Sequence, residues 1–182
     1  MRERKKISFL LVIITLFTIF FLNNISLNAQ QAKPPEEIQK FYGFEGVWEG
    51  KFNMQMKGAT YTGTGTHTYT KISDGWGMMM DESIDIANMG TYRAKYLLGY
   101  NVSEGKYHMY SISNMGEIRD LVGVWTDSKT LHFEYVGVED NKTYAEKADF
   151  TIKNPDTYII YDNVTIYNVA SSMIDMTFNR QK

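Results

Sequence analysis

From Gly46 onward the side chains alternate. In Gly46-Val47-Trp48-Glu49-Gly50-Lys51-Phe52-Asn53-Met54-Gln55-Met56, Trp48, Gly50, Phe52, Met54 and Met56 share one face, and Val47, Glu49, Lys51, Asn53 and Gln55 share the other. A period of two is what a half-buried β-strand demands, because successive side chains point to opposite sides of the pleat. The pattern recurs, and it predicts further strands over 60–72, 77–86, 91–100, 106–113, 118–125, 131–138, 143–153, 158–168 and 173–179. Turn chemistry separates them, as at Ser73-Asp74-Gly75, Asn88-Met89-Gly90, Asn114-Met115-Gly116 and Asn154-Pro155-Asp156. No stretch after Gly46 has the length and period of a crossover helix, which argues against a parallel sheet. Ten strands with short loops are too many for one flat twisted sheet, and closing the ring removes its unpaired edges. The expected fold is all-β: an antiparallel up-and-down β-barrel of about ten strands.

A short N-terminal helix precedes the barrel. Glu36-Glu37-Ile38-Gln39-Lys40-Phe41-Tyr42 follows Pro34-Pro35, with acids in its first turn and with Ile38, Phe41 and Tyr42 on one stripe. That stripe is expected to lie across one end of the sheet. In the second strand, Thr60, Thr62, Thr64, Thr66, Thr68 and Thr70 alternate with Tyr61, Gly63, Gly65, His67 and Tyr69. The two glycines predict a bend or a close approach of another part of the chain.

The 182 residues divide into a leader over 1–29, a linker over 30–37 and one barrel domain over 38–182. Met1-Arg2-Glu3-Arg4-Lys5-Lys6 is basic, 7–22 is an apolar run, and small Ala29 precedes Gln30. That is the pattern of a signal peptide cleaved near Ala29, which predicts an exported protein, periplasmic or secreted. The rival is an uncleaved anchor, although the run is shorter than the ~20 residues of a membrane span. The whole chain carries a formal charge of −2. With Arg2, Arg4, Lys5, Lys6 and Glu3 removed, the remainder is more acidic and has no basic stripe, which argues against nucleic acid and anionic membranes as partners. With no cysteine, disulfides and thiolate chemistry are excluded.

Of the 13 Tyr, 10 Phe, 3 Trp and 11 Met, those facing inward would make a lumen of apolar bodies with a few polar tips, which suits a small-molecule pocket. The expected lining is Phe52, Met54, His67, Tyr69, Met80, Glu82, Tyr96, Tyr110 and Tyr135. The bland alternative is a filled barrel using the same residues as core. Glu82, Glu134 and Asp162 fall inside strands. A carboxylate buried there would be a functional candidate, whereas the commoner outcome faces solvent. His67, His108 and His132 lie on separate strands without metal-ligand spacing, so each is expected to be satisfied or exposed, with no metal or other cofactor. There is no Gly-x-Ser-x-Gly, and no catalytic residue is assigned. Trp48 and Arg180 are expected to stack and close the barrel floor, a structural role.

Gly46-x-Trp48 on the first strand after a helical turn, with Arg180 on the last strand, resembles the calycin superfamily of lipocalins and fatty-acid-binding proteins. The ordered set Gly46-Val-Trp-Glu-Gly50, Gly63-Thr-Gly-Thr-His-Thr-Tyr69, Asp74-Gly-Trp76, Leu98-Gly-Tyr100 with Gly105-Lys106-Tyr107, and Trp125-Thr-Asp127 resembles more closely the family called domain of unknown function 1579, over roughly Ile38 to Arg180. The resemblance implies a calycin-like barrel and no settled activity. A haem-binding relative of the nitrobindin type carries Gly-x-Trp-x-Gly-x-Gly and a late histidine. Here Phe52 stands at the third glycine position and no histidine follows His132, so both departures speak against haem.

Three readings follow. The first is a non-catalytic barrel binding a small apolar or amphipathic ligand in its lumen. The second is an enzyme using inward groups such as His67, Tyr69 and Glu82 as acid, base or electrophile. The third is a solid barrel acting as an envelope interaction protein. A lumen of several hundred Å³ separates the first from the third. Oligomeric state is left open.

Overall fold

Ten strands close into one ring. They are β1 (Gly46–Met56), β2 (Ala59–Ile72), β3 (Gly77–Ile86), β4 (Gly90–Asn101), β5 (Lys106–Ser113), β6 (Ile118–Trp125), β7 (Thr130–Glu139), β8 (Lys142–Asn154), β9 (Thr157–Ile166) and β10 (Val169–Arg180). Each pairs antiparallel with its neighbour in sequence, and β1 pairs with β10 from Trp48↔Arg180 to Met56↔Ser172 to complete the barrel. The computed structural model describes residues 33–182 apart from Asp140 and Asn168. The leader expected over 1–29 lies outside the described residues. Among them, no helix is long and apolar enough to cross a membrane.

The strand positions follow the alternation. Trp48, Phe52 and Met54 of β1 are buried while Val47, Glu49, Lys51 and Gln55 are exposed. Burying one large apolar side chain contributes about 1.5–3 kcal/mol, so a one-residue slip that turned this face outward would forfeit several such terms in each strand. Three boundaries differ from expectation by more than one residue. β10 begins at Val169 rather than 173, and β9 ends at Ile166 rather than 168. The stretch Val169-Ala-Ser-Ser172 has weak strand propensity, yet pairing of Val169 with Ile166 and of Ala170 with Thr165 holds it in the sheet, with a bulge before Ser172. The expected two-turn helix is a single turn, α1 (Glu36–Gln39), followed by a 3₁₀ turn over Tyr42–Phe44. Gly43 interrupts the stripe, and Pro35 at the N-cap offers no side-chain cap.

The two ends of the barrel differ. The turns after β2, β4, β6 and β8 lie at the end that receives α1. Ile38, Phe41 and Phe44 are buried there against Trp48, Tyr69, Tyr107, Trp125 and Tyr158. This end is plugged. At the other end, inward residues such as Met56, Tyr61, Ile86, Tyr92, Tyr135 and Ile174 are only half-buried, so the interior is more accessible from that side than from the plugged one.

Candidate functional site

The plug is fastened by polar contacts at its margin. Trp48 Nε1 donates to the Phe44 carbonyl at 2.7 Å, and the Arg180 guanidinium lies 4.2 Å from the Trp48 ring centre. Arg180 also donates from Nη1 to the Glu45 carbonyl at 2.8 Å and from Nη2 to the Gly43 carbonyl. The expected stacking of Trp48 and Arg180 is present, and the arginine ties the 3₁₀ turn to the last strand. On the far side, Trp125 Nε1 donates to the Tyr107 hydroxyl at 3.0 Å, and that hydroxyl donates to the Glu37 carbonyl at 3.1 Å. Burial, against a partial offset from Trp125, pushes the Tyr107 phenol up to about 12.

Beneath the plug lies an apolar cavity of about 30 Å³, bordered by Phe41, Phe44, Met78, Met109, Leu131 and Phe133, with Tyr69, Met80 and Tyr96 also on its wall. It has room for about one or two water molecules, far below the ~300–1,000 Å³ of a ligand pocket. The plugged half is therefore packed core. The expected lumen of several hundred Å³ is not found there.

A hydrogen-bonded chain crosses the middle of the barrel. Tyr69 donates its hydroxyl proton to the Tyr158 hydroxyl at 3.2 Å. Tyr158 lies 2.5 Å from His67 Nδ1, and His67 Nε2 lies 2.7 Å from Glu82 Oε1. Tyr96 donates to Glu82 Oε2 at 2.7 Å. One directional arrangement satisfies every group: Tyr158 donates to Nδ1, Nε2–H donates to Glu82, and the carboxylate also accepts from Tyr96. Burial, reinforced by the nearby Glu82 charge, holds the Tyr96 and Tyr158 phenols well above their ordinary value, so both stay protonated donors. His67 is 0% exposed and lies flat on Phe178, ring centres 3.8 Å apart. The chain is complete without a substrate, which gives it the character of a core network that fixes register and ring orientation.

The half facing the accessible end is charged. Arg119 of β6 is buried between Glu146 of β8, 3.0 Å from Nη1, and Glu117, 2.9 Å from Nη2. Its guanidinium lies 4.4 Å from the Tyr144 ring centre and 5.9 Å from that of Tyr135. Asp162 of β9 points into the same region, and its Oδ1 is shut off from solvent without a hydrogen-bond partner. Burial first, and the Glu146 charge second, raise the Asp162 carboxyl to about 8 against a partial pull from Arg119. At neutral pH it therefore keeps its proton, the usual escape for a carboxyl buried without a full set of partners.

Of the expected lining, Phe52, Met54, His67, Tyr69, Met80, Glu82, Tyr96 and Tyr135 point inward. Tyr110 does not. It is 43% exposed on the outer face of β5, because buried Tyr107, Met109 and Ser111 set the inward parity of that strand. Of the three strand carboxylates, Glu82 and Asp162 turn inward. Glu134 faces out, paired with Lys147 at 2.8 Å and His132 at 3.1 Å. His108 and His132 sit on the outer face, each between two carboxylates: Asp120 and Glu104 for His108, Asp149 and Glu134 for His132. Among the described residues, no three His, Asp or Glu side chains converge to hold a metal ion. The sequence reading missed Tyr158, Phe178, Glu146 and Arg119. Arg119 was within reach, since it shares strand parity with Leu121 and Gly123.

No family model matches the chain, so the likeness to domain of unknown function 1579 remains a resemblance. No characterised protein matches it by sequence. Solved structures match the fold. The S-type phycobiliprotein lyase CPES from Guillardia theta aligns with a TM-score of 0.55 at 12% identity, covering 79% of this chain and 92% of that one. Rv2717c from M. tuberculosis aligns with a TM-score of 0.62 at 10% identity, covering 82% of this chain and 100% of that one. Both likenesses agree with a closed ten-strand antiparallel barrel.

Proposed function

We propose that the chain is an exported, non-catalytic carrier barrel that takes up a small amphipathic ligand through its accessible end. The observation that carries the reading is the sorting of the interior. The plugged half is packed, apolar and nearly without void, while the accessible half holds Arg119, Glu146 and Asp162 among tyrosines. Buried ionisable groups contribute little to stability compared with apolar residues of the same size, so their concentration in one half favours a site over mere filling. A ligand there would meet polar groups and, on the neighbouring strands, the apolar side chains of Met54 and Ile174. His67 supports a non-catalytic reading, because it is closed off and already bonded on both nitrogens. Export rests on the leader pattern at 1–29.

Native mass spectrometry of gently purified protein tests the binding, with a stoichiometric small-molecule adduct as the expected result. Protein that carries no adduct and shows no thermal shift against a panel of amphipathic ligands would overturn it. Cell fractionation with sequencing of the mature N-terminus, expected at Gln30, tests the export.

A further inference from the structure

The accessible half of the lumen is short of positive charge. Arg119 faces Glu117 and Glu146 at once, and Glu82 is already occupied by His67 and Tyr96. Asp162 lies within electrostatic reach of Glu146 and Glu82 and has an oxygen that accepts nothing. An anionic group entering here would meet four carboxyl groups and one guanidinium already engaged by two of them. A cationic group would find the opposite: an acid with an unpartnered oxygen, in a surround where carboxyl groups outnumber the one guanidinium, which already lies over the Tyr135 and Tyr144 rings. Asp162 pairs across the ladder with Ile174, and Ile174 with Met54, so an apolar wall adjoins the acid.

We infer that the ligand of this barrel carries a protonated amine, with Asp162 as its counter-ion and the Met54–Ile174 wall against its apolar body. This rests on the carrier reading and narrows it to alkyl- or arylammonium compounds. The charge accounting is simple. At neutral pH Asp162 enters the encounter as a neutral carboxylic acid, its carboxyl raised to about 8. On binding the ammonium it gives one proton to solvent and remains as the paired carboxylate, so one proton leaves for each ligand bound.

Calorimetry at pH 7 with octylamine, 1-octanol and octanoate tests this on the full barrel and on Asp162→Asn. Octylamine is expected to bind about tenfold or more tightly than octanol, with octanoate weakest, the size of one charge-assisted hydrogen bond. Asp162→Asn is expected to lose that advantage. In the unmodified protein, the octylamine enthalpy is expected to vary with the ionisation heat of the buffer, which reports the released proton without any variant. Octanol or octanoate binding as tightly as octylamine, an Asp162→Asn protein that still prefers the amine, or a buffer-independent enthalpy would each overturn the inference while leaving the carrier reading intact. If none of the three binds, the inference falls. The carrier reading falls with it only if native mass spectrometry also finds no adduct.

Discussion

Phe178 can lie flat across the inside of β1 and β2 because two glycines face each other beneath it, Gly50↔Gly65. A Cβ on Gly50 would stand 2.4 Å from the Thr177 carbonyl oxygen and 2.7 Å from the Phe178 ring. The ring in turn supports His67, and through it the chain to Glu82 and Tyr158. Gly50→Ala is expected to lower stability by about 1–3 kcal/mol in urea unfolding, since both the backbone and a stacked ring have to shift. An unchanged midpoint would show that the slot has slack. Asp162 gives a prediction in pH. Its folded pKa of about 8 exceeds the unfolded value of 3.8, so the unfolded chain releases this proton first and stability falls as pH rises from about 4 to about 8. Asp162→Asn is expected to flatten that fall, most clearly between pH 4 and 6, when melting temperature is followed against pH. At this scale the sequence was half legible. Glycines at 63 and 65 announced a close approach, which at Gly63 is the Asp85 backbone of the next strand; Phe178, more than a hundred residues away, became the neighbour of Gly65 only through ring closure. Asp162 was visible as a strand acid, and its direction depended on parity: buried Tyr158, Ile160 and Val164 on the same face decide it.

The outer face of β5 to β8 is a ladder of ion pairs joining neighbouring strands. His108 links β5 to Asp120 of β6, His132 links β7 to Asp149 of β8, and Glu134 joins Lys147 across the same pair. Burial disfavours both imidazolium ions, yet hydrogen bonds to Asp120 and Glu104, and to Asp149 and Glu134, outweigh it and raise both histidines above 6.5. A pKa raised by folding gives stability that is full below the unfolded value and fades as pH climbs through the folded one. His108→Gln with His132→Gln is therefore expected to reduce the loss of stability seen from about pH 6.5 upward and to leave the acid side, which Asp162 governs, unchanged. A double variant with the original slope at every pH would show that these pairs are too well solvated to matter. The strands themselves were the most legible part of the chain. Period two and Gly, Asn and Asp turns located ten of ten, with errors of more than one residue only at the end of β9 and the start of β10, where pairing across a bulge outweighs the weak propensity of Ala170 and Ser171. Tyr110 was assigned to the wrong face because an aromatic residue in a strand suggests core, whereas its neighbours Met109 and Ser111 already fix it outward.

For the whole molecule, the asymmetry of the interior matters more than the ring. One end is stoppered by α1 and the 3₁₀ turn, and Arg180 is the clasp, bonded to the carbonyls of Gly43 and Glu45 and laid over Trp48. Arg180→Met keeps most of the side-chain bulk and removes those donors. It is expected to cost about 1–3 kcal/mol and to shift Trp48 emission to longer wavelength as water reaches the indole. An unshifted spectrum would mean that Phe44 and Tyr158 hold the ring alone. The filled state of the plugged half was not legible in the sequence, since the same Met, Phe and Tyr content serves an open lumen or a solid one. The difference lies in how Phe41 and Phe44 enter from outside the sheet. The charged half was hidden for another reason: Arg119, Glu146 and Asp162 sit on three strands and share no local motif. The seam between β1 and β10 has a practical corollary. The amide of Gln181 bonds the Val47 carbonyl, so the last residues leave the barrel beside the start of the first strand, at the stoppered end. A tether, dye or support coupled at Lys182 would thus hold the molecule by its base and keep the opposite rim turned toward solution.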